Sequence, residues 1–110
     1  MNRERLPNRR RSENFDFVHQ DPSGRVFLYT ATVGFYDDGR PGEVFLGAAK
    51  VGSAEDIQIK DSAIALSLAL QYGCPLEVIA PTFLRTGAGH PEGPLGTLVG
   101  ILAAGEGLAE

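Results

Sequence analysis

Arg25-Val26-Phe27-Leu28-Tyr29-Thr30-Ala31-Thr32-Val33-Gly34-Phe35 alternates along its whole length. Phe27, Tyr29, Ala31, Val33 and Phe35 fall on one side at period two. Val26, Leu28, Thr30 and Thr32 fall on the other, in the β-branched and aromatic chemistry of a half-buried strand. Just before it, Asp21-Pro22-Ser23-Gly24 is a turn, with Pro fixing φ at the second position and Gly tolerating positive φ at the fourth. Upstream of that turn, residues 15–19 read as a short strand, with Phe15, Phe17 and His19 on one face and Asp16 and Val18 on the other. Downstream, Asp37-Asp38-Gly39 is a second turn and residues 43–46 a third strand. The first half therefore predicts a three-stranded antiparallel meander.

The period changes after Lys50. Ser53 can cap a helix, with Asp56 three residues on as a variant of the capping box. Glu55 and Asp56 also suit the positive end of the helix dipole. Ile57, Ile64, Leu68 and Tyr72 share one face, and residues 63–70 are nearly apolar all round, which predicts a helix buried on more than one side. Gly73 reads as a left-handed cap, and Pro75 as the first position of a second helix that Pro81 breaks. Residues 86–93 read as a loop, and residues 94–104 as a third helix weakened by Gly96 and Gly100. The expected fold class is α+β: a three-stranded antiparallel meander followed by two or three helices packed on one face.

With 110 residues, 43% of them hydrophobic and 22% charged, the composition is that of one globular domain. The longest nearly apolar run is far short of the roughly 20 residues that a membrane span needs, so no membrane partner is expected. The N-terminal arginines have no apolar stretch behind them, unlike a secretory signal. The single cysteine, Cys74, excludes an intramolecular disulfide and a Cys-rich zinc site, and it fits a reducing cytoplasm. Charge is uneven along the chain. Residues 1–12 hold five arginines against Glu4, a net +4, while the remainder holds five basic and thirteen acidic residues, a net −8. Residues 1–14 thus read as a basic flexible arm, and residues 15–110 as a single domain. Arg3, Arg5, Arg9, Arg10 and Arg11 are candidate contacts for an anionic partner; the blander reading is a solvated tail.

Few residues are arranged for catalysis. A nucleophile needs a base beside it, and nothing in the sequence brings Cys74 to His19 or His90. Cys74 reads as a small packed hydrophobe and both histidines as surface or turn residues, with no ligand spacing for a metal. Asp37 and Asp38 suit a turn, and Glu43 starts a strand; they form no acid/base pair. The most suggestive local stretch is Gly47-Ala48-Ala49-Lys50-Val51-Gly52-Ser53, which runs through a glycine loop into a helix start. Lys50, Gly52 and Ser53 there are candidate anion or nucleotide contacts, although Glu55 and Asp56 would repel an anion. The alternative is an ordinary capped helix start with a snorkelling lysine. No catalytic residue, metal or cofactor is expected.

Several stretches together resemble a known family. Leu6-Pro7-Asn8-Arg9-Arg10, Tyr36-Asp37-Asp38-Gly39-Arg40-Pro41-Gly42-Glu43-Val44-Phe45-Leu46, Lys50-Val51-Gly52-Ser53, and the run from Ala63 through Leu70-Gln71-Tyr72-Gly73-Cys74-Pro75-Leu76-Glu77 occur in that order. They are similar to the TSCPD domain family, found as the C-terminal accessory region of adenosylcobalamin-dependent ribonucleotide reductases and as free-standing small proteins. The chain departs from those reductases in having no reductase barrel. It also lacks the cysteine-bearing tail, where Phe83-Leu84-Arg85-Thr86-Gly87-Ala88-Gly89-His90 stands instead. Chemistry resembling theirs needs a thiyl-radical cysteine and a dithiol pair, and one cysteine cannot supply it.

The resemblance implies a non-catalytic accessory or binding module linked to deoxyribonucleotide metabolism, acting by protein docking or weak anion or nucleotide binding. One alternative is a small nucleic-acid-binding protein using the basic arm. Another is a subunit of a ribonucleotide reductase holoenzyme, and a small enzyme in its own right is the rival class. Expected partners are a ribonucleotide reductase subunit or another protein, with nucleotide or nucleic acid through the arm as the other candidate. A homodimer is expected as well, because a short meander leaves open strand edges.

Overall fold

The computed structural model describes residues 2–105, so Met1 of the expected arm and the last five residues of the expected domain lie outside it. The elements follow in the order β1 (Ser12–Gln20), β2 (Val26–Phe35), β3 (Pro41–Ala48), α1 (Ala54–Gln71), α2 (Leu76–Ile79), a 3-10 turn (Ala80–Thr82) and α3 (Pro94–Ala104). The three strands form an antiparallel sheet in the order β1-β2-β3. The architecture is α+β, as the change of period after Lys50 predicts.

Register follows the alternation. Phe17 pairs with Tyr29, Ala31 with Leu46 and Val33 with Val44, so the large apolar residues of three strands share one face. That face is the core side: Tyr29, Ala31, Val33, Val44 and Leu46 are buried against Ile59, Ala63, Leu66 and Leu70 of α1 and Leu98, Val99 and Leu102 of α3. Phe17 stacks on Tyr29 with ring centroids 5.7 Å apart. The opposite face, carrying Val18, Leu28 and Phe45, is exposed.

β1 begins at Ser12, inside the stretch read as arm, and β3 extends to both sides of residues 43–46. Ser53 caps α1 by accepting from the Asp56 amide, Gly73 follows the helix at φ +94°, and Pro81 sits in the 3-10 turn that ends the second helix. The inward face of α1 differs from the expectation. Ile57, Ile64, Leu68 and Tyr72 are exposed, and Ile59, Ala63, Leu66 and Leu70 point inward. Two apolar stripes compete on this helix, and polar side chains decide between them. Asp56, Ser67 and Gln71 hydrogen-bond to β3, which turns the helix so that Ala63, on the same stripe, faces the core. Small Ala63 allows the helix to lie close along the strand. His19 is likewise a correction: the expected surface or turn residue is 3% exposed, because it continues the inward alternation of Phe15 and Phe17. Among the described residues no helix is long and apolar enough to cross a membrane.

Candidate functional site

The loop between β3 and α1 carries Lys50, Gly52 and Ser53 together. Lys50 and Gly52 are exposed and Ser53 is half-buried. The Ser53 hydroxyl donates to the Lys50 carbonyl at 2.8 Å and accepts from the Asp56 amide at 3.2 Å. Two of the amide donors that such a loop would offer an anion are already engaged. Ala48 N–H donates to Asp56 Oδ1 at 3.0 Å and Gly52 N–H to Asp56 Oδ2 at 2.8 Å. Lys60, one helical turn on, donates to the same carboxylate at 2.8 Å. Lys60 foremost, then the Gly52 and Ala48 amides, hold the Asp56 pKa down to about 2, although burial opposes them. Asp56 is thus an internal anion on these two donors, and a phosphate would have to displace it to use them. The sequence offered a signal for this in the acid three residues after the cap, but its bonds run back to the loop and to β3 rather than to the Ser53 amide.

Beside this loop, the Tyr29 hydroxyl donates to the Glu55 carboxylate. Burial first, then Glu55, pushes the Tyr29 pKa above its ordinary value, so the phenol stays protonated and serves as a fixed donor.

The basic segment lies against the body. Glu4 N–H donates to the Gln71 carbonyl at 2.7 Å, and the Tyr36 hydroxyl donates to the Glu4 carbonyl. Arg3 Nε donates to Gln71 Oε1 at 2.6 Å, while Gln71 Nε2 donates to the Gly42 carbonyl at 2.8 Å. Buried Gln71 therefore ties the segment, α1 and β3 at one point. Arg10 pairs with Glu43 at 2.7 Å, and the Arg11 guanidinium lies 4.2 Å from the Phe35 ring centroid. Arg5 and Arg9 are exposed with no ion pair among the described residues. Three of the five candidate arginines thus make contacts within the chain.

His19 and His90 line one groove of about 410 Å³ at the β1–β2 turn, while Cys74 lines another with Arg40 and Glu77. The thiol and the imidazoles thus lie in separate grooves. Both His19 nitrogens are engaged, one with the Thr97 hydroxyl and one with the Glu92 carbonyl. Asp38 takes the turn role expected of it, accepting from the Arg40 amide and guanidinium, which lowers its pKa. Among the described residues, no group of three His, Cys, Asp or Glu side chains is placed to hold a metal ion.

Comparison with known proteins adds to this geometry. The TSCPD domain model matches residues 6–104. A vitamin B12-dependent ribonucleotide reductase of Rhodopirellula baltica is 44% identical over 84 residues, covering 76% of this chain and 8% of that protein. Similar proteins of the same name from Bradyrhizobium diazoefficiens and Agrobacterium fabrum are 42% identical over 95 residues and 40% identical over 84 residues. They are matched over 84% and 76% of this chain, and over 7% and 6% of their own lengths. The chain thus spans less than a tenth of these relatives. No solved structure matches.

Proposed function

The chain belongs to the TSCPD domain family, and from that membership we propose that it is a non-catalytic accessory module of deoxyribonucleotide metabolism. It acts in the cytoplasm, docks on a ribonucleotide reductase protein and self-associates as a homodimer. The observation that carries this reading is the size of the match: in each of the three reductases the related segment is 6–8% of the whole. More than nine-tenths of each reductase lies outside that segment, which supports reading it as a module accessory to the rest. The one cysteine supports the same reading, because it falls short of a radical thiol plus a dithiol pair. Vitamin B12 in the relatives' names is a property of those proteins.

Protein docking is favoured over nucleotide or nucleic-acid binding by the state of the candidate anion contacts. Asp56 holds the Ala48 and Gly52 amides at the Lys50 loop, and Arg3, Arg10 and Arg11 are engaged within the chain. The test is a low-salt titration of the full chain against a vitamin B12-dependent reductase lacking its own TSCPD segment, with single-stranded DNA, duplex DNA and dATP in parallel. Saturable binding to the reductase alone is expected. Tight binding to DNA or dATP without binding to the reductase overturns docking. Ribonucleotide turnover by the chain with cobalamin and a dithiol, and no other protein, overturns the non-catalytic assignment.

A further inference from the structure

We propose that the outer face of the sheet, together with the groove between β3 and α1, is the surface on which a second copy of this chain docks; this rests on the homodimer proposed above. The inner face is covered by α1 and α3, whereas Val18, Leu28 and Phe45 on the outer face and Ile64 on α1 are 60%, 53%, 56% and 57% exposed. Phe45 and Ile64 are walls of one groove of about 420 Å³, with Thr30 and Gly47 on its sheet side and Lys60 on its helix side. Phe45 and Ile64 thus make one apolar spot at this groove, and Val18 and Leu28 make a second on the same outer face, beyond the row formed by Asp16, Thr30 and Gly47. Exposed apolar side chains of this size on one face are of the kind that marks an interaction site.

The area is enough for a second copy. Three strands about 4.8 Å apart, six residues of about 3.4 Å each, and a flanking helix about 10 Å wide give a face of roughly 500 Å². Two such faces bury ~1,000 Å², the lower bound of a specific interface. Edge pairing is closed at β3, because Asp56, Ser67 and Gln71 bond to the Ala48, Val44 and Gly42 backbone there. A copy approaching this side of the sheet therefore meets the face and not a free strand.

The charges on this face are self-complementary. Asp16, Thr30 and Gly47 form one row across the three strands, and Lys60 stands beside Gly47. The row thus has an acid at the β1 margin, bonded to the Thr30 hydroxyl, and at the α1 margin the half-exposed Lys60 ammonium, which buried Asp56 already holds from one side at 2.8 Å. A two-fold axis parallel to β2 and above it lays β1 of each copy over the groove of the other. Each Asp16 then lies beside the other copy's Lys60, and the two Leu28 side chains meet near the axis. Such an isologous arrangement closes on itself as a dimer.

Sedimentation velocity from low to high micromolar concentration tests this on the full chain and on Phe45→Glu, Leu28→Glu, Asp16→Lys and Val78→Glu, with circular dichroism to confirm folding. Phe45 and Leu28 are more than half exposed, so their replacement spares the core, and Val78, exposed on α2, is the control outside the face. Expected are a dimer for the wild type and Val78→Glu, and self-association weaker by about tenfold or more for Phe45→Glu and Leu28→Glu. Asp16→Lys should also weaken it, by setting two like charges together. A dimer that all three face variants leave intact overturns this surface and spares the homodimer. A wild type that is monomeric at high micromolar concentration overturns both.

Discussion

The Ser67 hydroxyl meets both polar groups of Val44 on the edge of β3: the Val44 amide donates to Oγ at 2.8 Å, and the Val44 carbonyl lies 3.2 Å from it. Oγ also lies 2.8 Å from the Ala63 carbonyl on its own helix, so its single proton is shared between two acceptors while the amide bond is constant. A helical side chain here does what a neighbouring strand would do, which protects an edge that otherwise invites pairing.

Ser67→Ala removes that acceptor and strands the Val44 amide in a part-buried setting. The expected loss is about 1–3 kcal/mol, read as a lower urea midpoint at unchanged slope. An unchanged midpoint would show that the hydroxyl contributes nothing to the edge.

Asp56 should dominate a distinct part of the acid response. Its folded pKa is held at about 2, below the ordinary carboxylate value, by Lys60 and the Gly52 and Ala48 amides. A depressed folded pKa means that the ionised form favours folding. This stabilisation is complete above the unfolded pKa of about 3.9 and is lost as pH falls towards about 2. Asp56→Asn should therefore be less stable at neutral pH, with a flatter fall in stability between about pH 4 and about pH 2. Some slope persists in the variant, because Asp21 and Asp38 also have lowered pKa values. Thermal melts of both proteins across that window check it, and parallel curves would remove Asp56 from the account.

The sheet was legible in the sequence because one covered face makes period two unambiguous: Phe27 to Phe35 could point only one way. Helix α1 was legible in its cap and length but not in its rotation. Asp56, Ala63, Ser67 and Gln71 recur at spacings of seven, four and four, a single stripe that faces β3. Three of the four are polar, so hydrophobic periodicity reads that stripe as outward. The fate of the arginines lay further from reach. Arg3 meets Gln71 across 68 residues and Arg10 meets Glu43 across 33, and pairing at such separation follows from the tertiary fold, not from local pattern.

Gly96 and Gly100 look alike in the sequence and are unlike in the fold. A Cβ at Gly96 would lie 3.2 Å from Pro91 Cβ and 3.4 Å from Phe83 Cβ, whereas one at Gly100 meets nothing within 4 Å. Both sit in α3, where alanine is intrinsically better than glycine by roughly 0.8–1 kcal/mol. Gly100→Ala should therefore stabilise by about 0.5–1 kcal/mol. Gly96→Ala should gain less, and Gly96→Val should destabilise by roughly 1–3 kcal/mol through overpacking against Phe83 and Pro91. Calorimetric melts of the three variants give the order directly; a stabilised Gly96→Val would mean that the contact with the preceding loop yields freely.

His19 joins the first strand to the last helix. Its Nε2 lies 3.0 Å from the Glu92 carbonyl and its Nδ1 lies 2.8 Å from the Thr97 hydroxyl. A carbonyl can only accept, so Nε2 carries the proton and the Thr97 hydroxyl donates to Nδ1; the tautomer is assigned from this geometry. One buried side chain thus satisfies a loop carbonyl ahead of α3 and a hydroxyl in the first turn of α3. Thr97→Val keeps the shape and removes only the donor to Nδ1, with an expected cost of about 1 kcal/mol. His19→Ala strands both partners and opens a cavity beside Tyr29, so it should cost roughly 2–5 kcal/mol. Because the two residues share one bond, the double variant should lose less than the two singles added together, by about 0.5–1.5 kcal/mol. Urea unfolding of the four proteins in that cycle measures the coupling. Strictly additive losses would mean that His19 holds α3 by packing alone and that its bond to Thr97 carries no net energy.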